Sequence, residues 1–302
     1  MLTGCSGWSA PGPDHLTWSH IKILVLDENI LKLLVWLANA CFVTGVWPDY
    51  FKTSKTVVIP NPNTPAYNIP KAFRLIVLLN THDKLFKKVI ANRLQWECAC
   101  YGLLHPCQFG GIRQNSTKDA GSYLIHLVCA GWLKGYKTSI IAFDLAQYFP
   151  YLNHSALTLV LDQMGFADSV IKFFSNYFVG RFTRFLWNAK LSDPFSCDMG
   201  VGQGSALSPI LSSIYLSLAM WAFHTERPDT QLTSYVDDGM IIVMSKSIEI
   251  NLVKLQAAYS TVYQLTCAMD WALELPSREY QATIHDRSKL CCQNWQQSEF
   301  TA

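Results

Sequence analysis

The chain has 302 residues, half of them hydrophobic and 15% charged, with a formal net charge of +2 at pH 7. Such a chain can bury a large core, as one big domain or two subdomains, and the composition excludes a disordered or low-complexity protein. No apolar run reaches the roughly 20 residues a spanning helix needs, and 1–12 lacks the basic-then-apolar pattern of a signal peptide, which predicts a globular, intracellular protein of cytoplasm or nucleus with no membrane partner.

In chain order, 8–13 reads as a loop around Ser9-Ala10-Pro11-Gly12-Pro13. Helices are predicted over 16–26 and 29–43, where apolar residues recur at three- and four-residue steps. A short strand over 55–60 is stopped by Pro60 and leads through a proline-rich loop, 61–70, to a second strand over 73–79. A basic amphipathic helix follows over 82–96, then a helix over 116–131 with Ser116 or Thr117 near its N-cap. An apolar strand over 138–143 ends in Asp144. Helices over 153–164 (capped by Asn153 or His154) and 170–178 precede strand-like runs at 182–189 and 195–199. A long helix over 208–223, a hairpin around Tyr235-Val236-Asp237-Asp238 and a helix over 251–265 complete the pattern. This is an α+β layout, with helices covering one side of a small antiparallel sheet.

Charge is distributed unevenly. From Lys52 to Lys137, twelve Lys and Arg face three acids, a net +9, whereas Thr138 to Met240 holds five basic and nine acidic residues, a net −4. A basic half before an acidic half suits a protein that grips a polyanion with one part and holds cations with the other; uneven surface charge is the plainer alternative. The ten cysteines are scattered, and Cys98/Cys100 and Cys291/Cys292 lack zinc-motif spacing, so reduced, mostly buried thiols are expected.

Asp237 and Asp238 carry the most chemistry. Adjacent carboxylates repel unless a cation sits between them and another carboxylate, and hard divalent ions with oxygen ligands fit that need. Two such ions would activate an attacking hydroxyl and stabilise a leaving phosphate oxygen. If the strand that ends in Asp144 neighbours the hairpin, Asp144 faces Asp237. Taken singly, Asp-Asp-Gly is also ordinary turn material, and Asp144 also reads as a helix cap. Between them, Gly200-Val201-Gly202-Gln203-Gly204 places three glycines in five residues, which lets backbone approach a ligand, and the following helix offers N–H groups for phosphate.

In this order and spacing the segments resemble the reverse transcriptase domain of non-LTR (LINE-type) retrotransposons. Phe143-Asp144-Leu145-Ala146-Gln147-Tyr148-Phe149 looks like the first palm motif. Gly202-Gln203-Gly204-Ser205-Ala206-Leu207-Ser208-Pro209 looks like the second, and Tyr235-Val236-Asp237-Asp238 like the third. Phe73-Arg74-Leu75-Ile76-Val77-Leu78-Leu79-Asn80 and Gln108-Phe109-Gly110-Gly111-Ile112-Arg113 are similar to fingers motifs, and Pro11-Gly12-Pro13-Asp14 to the motif near the domain's start.

The resemblance implies right-hand polymerase fingers and palm, a small antiparallel palm sheet backed by helices, and no thumb. It divides the chain into an N-terminal extension and fingers (1–137), a palm (138–280) and a divergent tail (281–302). Asp144, Asp237 and Asp238 would be catalytic and hold two Mg2+ (or Mn2+) ions, Asp144 and Asp237 being the direct ligands. Phe149 would be the steric gate under C2′ of the incoming sugar, or plain core packing. Gln203 and Gly204 would lie against the template–nucleotide pair, and Arg74 and Lys84 near the triphosphate and template. Lys87 and Lys88 read as solvated helix-face charges. Tyr235 and Val236 would floor the primer end, with Gln108 and Arg113 on primer or template.

The implied function is an RNA-directed DNA polymerase domain that adds deoxynucleotides to a primer 3′-hydroxyl, with an RNA template, a DNA primer and deoxynucleoside triphosphates as partners. The leading reading takes the open reading frame as cut short at both ends; the alternative is a catalytically dead, decayed remnant that at most binds nucleic acid through the basic fingers. Several positions depart from the family pattern: Leu75 for proline, Asp83 for a small residue, Asn61 and Thr64 for lysine, Pro150 for an acid and Asp270 for glycine. The family's C-terminal lysine is also missing, with Arg278 nearby but a poor proton donor because its pKa is too high. The sequence leaves the oligomeric state, flanking domains and natural template open.

Overall fold

A computed structural model describes residues 2–62, 67–69 and 72–270, and the backbone of the strands at 272–274, 280–286 and 289–295. In chain order the elements are α1 (Trp18–Leu24), α2 (Glu28–Thr44), β1 (Thr53–Pro60), β2 (Phe73–Leu79), α3 (Thr81–Tyr101), α4 (Thr117–Leu133), β3 (Lys137–Ala146), α5 (His154–Gln163) and α6 (Asp168–Phe178). They continue with β4 (Phe182–Trp187), β5 (Lys190–Leu191), β6 (Phe195–Ser196), α7 (Ser208–Glu226), β7 (Gln231–Tyr235), β8 (Asp238–Ser245), α8 (Ile248–Ala268), β9 (Ala272–Glu274), β10 (Tyr280–Asp286) and β11 (Lys289–Trp295). Among the described residues no helix is long and apolar enough to cross a membrane.

Local chemistry explains the boundaries. Asp27 starts α2 by accepting from the N–H groups of Asn29 (2.8 Å) and Ile30 (3.1 Å). Ser116 and Asp119 close a capping box on α4, and Asn153 caps α5 through the N–H of Ala156 at 3.0 Å. The start of α3 is capped from far away in sequence. Asp14, the last residue of Pro11-Gly12-Pro13-Asp14, accepts from the N–H of Thr81 at 2.6 Å and donates its own N–H to Asn80 Oδ1 at 3.0 Å. The proline-rich N-terminal motif is therefore a brace on the β2–α3 junction.

Packing divides the chain into two compact units, Met1–Leu94 with Asn153–Ser208, and Gln95–Leu152 with Pro209–Ala302. The divisions expected from the motifs, at 137/138 and 280/281, follow sequence pattern and do not coincide with these. The physical reason is a non-local strand pairing: β4 joins β1 in parallel, Lys55 opposite Arg184, and so carries 153–208 into the first unit.

The first unit holds a sheet of order β2-β1-β4-β5, with β6 also paired to β4. Its core is aromatic. Trp47, only 1% exposed, contacts the rings of Phe51, Phe86, Phe173 and Tyr177. Asp83 and Lys87, one helical turn apart on α3, form a buried ion pair at 2.7 Å with 0% and 2% side-chain exposure. Lys87 is therefore not a solvated helix-face charge; it also lies 5.1 Å from the centre of the Tyr177 ring. Burial pushes the Asp83 carboxyl up, and the Lys87 charge opposes that shift.

The second unit holds a sheet of order β11-β10-β3-β8-β7, with β9 also paired to β3. All its pairings are antiparallel. Its buried side chains include Ile241, Ile242 and Val243 of β8, Leu255, Ala258 and Val262 of α8, and Ile210, Leu211 and Ile214 of α7. The segment expected as a divergent tail contributes β11 and most of β10 to this sheet. Thr64 and Arg278 lie outside the described residues. Of the eight cysteines described, none of them in a disulfide, Cys5, Cys41, Cys98 and Cys107 are buried and Cys100, Cys129 and Cys267 exposed, so burial is less general than expected.

Candidate active site

The hairpin between β7 and β8 turns in two residues. Tyr235 pairs with Asp238 across its neck, and Val236 and Asp237 form the loop. Val236 has φ +59 whereas Asp237 does not enter the positive region, the signature of a type II′ turn, which matches the right-handed twist of its strands. Glycine normally takes that first position, so the β-branched Val236 is held against its preference, at a cost of order 1–3 kcal/mol.

Neighbouring backbone holds it there. Phe109 N–H donates to Ser234 O at 2.9 Å and Ser234 N–H to Cys107 O at 3.0 Å, laying 107–110 along β7. Gly110 then passes so close to the loop that a Cβ on it would sit 2.2 Å from Val236 N and 2.7 Å from Tyr235 C. On the β8 side, Phe143 lies opposite Gly239, and its ring covers the space a side chain there would fill.

These contacts fix the carboxylates. In the register of β3 against β8, Asp144 stands opposite Asp238, and Leu145 N–H donates to Asp237 O at 3.0 Å. Asp144 thus stands opposite the second aspartate in the ladder, with the backbone of the first bonded to the next residue of β3, so the strand and the acidic turn are neighbours. Asp144 and Asp237 are half-buried and Asp238 is exposed on one face. Burial of the rest of Asp238, and then the charge of Asp237, raise its carboxyl above the ordinary range. Across the other edge of β3, Asp144 is in register with Glu274.

After β3 the chain turns sharply. Gln147 has φ +55 and its carbonyl accepts from Tyr151 N–H at 3.0 Å. Tyr148 is buried, and its hydroxyl is pushed up by burial and then by the charge of Asp237. Phe149 is half-buried, its ring 5.2 Å from that of Tyr148 at 75°.

The remaining expected residues separate into the two units. In the second unit Arg113 is exposed. Gln108 is 1% exposed and its side chain accepts from Ser217 Oγ of α7 at 2.5 Å, so the side chain expected on primer or template is buried within the unit, while its backbone bridges Ser234 of β7. In the first unit Arg74 is exposed on β2, and the Gln203 carbonyl accepts from Val77 N–H of the same strand at 3.1 Å, which brings the glycine-rich turn to that edge with Gly204 exposed. Lys84 donates to Ala10 O at 2.9 Å and is half-buried; burial lowers its pKa, with Asp14 and Asp83 opposing. It is tied to the N-terminal brace. Two residues that the sequence reading passed over hold the start of the glycine-rich segment: His154 Nε2 at 2.7 Å and Arg181 Nη1 at 3.1 Å both meet Gly200 O. The sole signal for either was its position beside a cap or at a helix end.

Three carboxylates from β3 and the adjoining turn form an oxygen donor set suited to Mg2+ or Mn2+. Among the described residues they do not close into a three-donor metal cluster. Burial is the larger cause of the raised Asp238 carboxyl, and the smaller part that comes from the Asp237 charge is the repulsion such a cation would relieve.

An antiparallel sheet backed by helices, with paired aspartates at a hairpin tip beside a third on the neighbouring strand, defines a polymerase palm. Residues 59–276 match the family model for reverse transcriptase (RNA-dependent DNA polymerase), and the chain belongs to that family. It is 27% identical over 242 residues to the probable RNA-directed DNA polymerase from transposon BS of Drosophila melanogaster, covering 78% of this chain and 26% of that protein. Over 263 residues it is 25% identical to the retrovirus-related Pol polyprotein from type-2 retrotransposable element R2DM of the same fly, covering 80% and 23%. The chain therefore spans about a quarter of the length of these curated relatives, which are non-LTR retrotransposon proteins. Among solved structures, apo telomerase from Candida tropicalis matches with a TM-score of 0.54 at 14% identity, covering 82% of this chain and 48% of that one. The form truncated from its C-terminal domain matches at 0.52 and 15%, covering 87% and 56%. These last likenesses establish the polymerase fold.

Proposed function

We propose that this chain performs RNA-directed DNA synthesis for a non-LTR retrotransposon, adding deoxynucleotides to a primer 3′-hydroxyl on an RNA template. The observation that carries the reading is the backbone-held II′ turn, which sets Asp237 and Asp238 at the end of β3 with Asp144 in register. Asp144 and Asp237 would hold Mg2+ or Mn2+, with Asp238 beside them; the bound ions would lower the pKa of the primer hydroxyl and stabilise charge on the departing pyrophosphate.

The chain's own groups supply positioning. Phe149, set by the turn after β3, would exclude a ribose 2′-hydroxyl. Tyr235 and Val236 would support the primer end. Arg74 on β2 would lie near the triphosphate, and Gln203 and Gly204 against the template–nucleotide pair. Catalysis then comes from orientation and electrostatics with no covalent participation by the protein. An intracellular setting, in cytoplasm or nucleus, goes with this reading.

The test is Mg2+- or Mn2+-dependent extension of an oligo(dT) primer on poly(rA) by wild type and Asp237→Ala. Incorporation that Asp237→Ala reduces by at least about a hundredfold supports the proposal. Equal and negligible incorporation by both proteins sinks it.

A further inference from the structure

Inside the aromatic core of the first unit lies a cavity of about 10 Å3, room for a single water-sized species. Three cations line it, Lys52, Lys87 and Arg181, and among the described residues no acid does. Lys87 and Arg181 share one ring, lying 5.1 Å and 5.3 Å from the centre of Tyr177. Their charges are only partly compensated. Asp83 is buried and engaged by Lys87 at 2.7 Å. Lys52, with 8% side-chain exposure, meets Asp49 at 3.5 Å, but that carboxylate is 98% exposed and water screens the pair. Arg181 is half-buried and, among the described residues, forms no ion pair. Three cations against the one buried carboxylate leave the cluster at +2, whereas buried charges are stable when paired.

The lining also offers an unused donor. Trp47 lines the cavity, and its indole N–H is buried without a hydrogen-bond partner. Indole, ammonium and guanidinium groups donate and cannot accept. A water would satisfy the indole and leave the charge where it is; a metal ion would add to it. We propose that the cavity is a binding site for one small inorganic anion of halide size, held by Lys52, Lys87, Arg181 and the Trp47 N–H. A phosphodiester is too large for this space, so the site is separate from any nucleic-acid surface, and it does not depend on the polymerase reading. Arg181 also donates to Gly200 O at 3.1 Å, so the anion stands one side chain away from the start of the glycine-rich segment.

Two measurements on the full chain test this. The first is anomalous diffraction from wild-type crystals soaked in sodium bromide, which should show a peak between Lys52, Lys87 and Arg181. The second is thermal unfolding in sodium chloride against sodium gluconate at equal ionic strength, gluconate being too bulky to enter. Chloride should raise Tm saturably, by about 3–5 °C once it exceeds its Kd tenfold. Lys52→Met, which leaves the Asp83–Lys87 pair and the Arg181–Gly200 bond in place, should weaken chloride by at least about tenfold. Lys52→Arg should retain the response.

Bromide peaks confined to the protein surface would overturn the proposal without reference to any variant. So would a Tm in chloride no higher than in gluconate, or a chloride response that Lys52→Met keeps in full. Asp237→Ala should respond to chloride as wild type does, so failure of this site and failure of the polymerase assay are read separately.

Discussion

Gly110→Ala adds one methyl group to a residue that carries no chemistry, yet it should disable the site. The added Cβ would sit 2.2 Å from Val236 N and 2.6 Å from Val236 Cγ2, while real Cβ contacts stay beyond 3.0 Å. One of two backbones must therefore move by at least the 0.8 Å difference. Neither moves freely: 107–110 is bonded to Ser234 on one side, and the turn is bonded to β3 through Leu145 N–H and Asp237 O on the other. Overpacking of this kind costs roughly 1–3 kcal/mol, which at about 2–4 °C per kcal/mol lowers Tm by about 2–12 °C. The greater effect is on rate, because misplacing reacting groups by about 1 Å costs on the order of a hundredfold. Primer extension on poly(rA), well below the Tm, is the assay, with affinity for a hybrid duplex measured in parallel. The expected result is a loss of about a hundredfold in rate with affinity within about threefold of wild type. Gly121→Ala is the control: it lies in α4 with nothing within 4 Å of its added Cβ, and should match or exceed wild-type stability by about 0.5–1 kcal/mol. If Gly110→Ala extends primers within twofold of wild type, the account of the hairpin as held by backbone contact is wrong.

Phe149→Val should admit ribonucleotides, raising their incorporation relative to deoxynucleotides by at least about tenfold in kcat/KM; an unchanged ratio would return Phe149 to plain packing. Lys87→Met leaves Asp83 buried without its partner and should destabilise by about 3–5 kcal/mol, whereas Lys87→Met with Asp83→Leu should recover most of that loss, as measured by urea unfolding. Burial lowers both His105 (with a contribution from His224) and His154 from 6.5 to about 4, so the fold favours their neutral forms. Their contribution to stability is complete above pH 6.5 and is lost as pH falls from 6.5 towards 4. His154→Gln keeps a donor for Gly200 O and removes one titration, so its urea midpoint should fall less steeply over that window; an identical slope would rule out His154 as a source.

What the sequence revealed was whatever is encoded locally. Strand and helix positions, the caps at Ser116 and Asn153, and the acidic turn all depend on neighbours a few residues apart, and most lie within a few residues of where they were expected. The conformation of the acidic turn was not legible, because it depends on Val236 taking a φ that valine seldom adopts. Lys87 looked solvated because its face of α3 is buried by aromatic residues distant in sequence, Trp47 and Tyr177, with which it shares a small cavity; the i,i+4 spacing to Asp83 was the available hint. The two-unit division was hidden for the same reason, since only the long-range pairing of β4 with β1 creates it.

The site's geometry therefore resides in backbone and its chemistry in three side chains, and the two can be separated by experiment. Removing the Asp237 carboxylate leaves intact the II′ turn, the Gly110 contact and the Leu145 hydrogen bond, none of which uses an acidic side chain. Asp237→Ala should accordingly lose activity with Tm unchanged, and it removes the repulsion acting on Asp238, whose carboxyl should titrate lower than in wild type. Gly110→Ala keeps every carboxylate and should lose both activity and stability. Were the turn positioned by its acidic side chains, the two variants would show the same pair of losses.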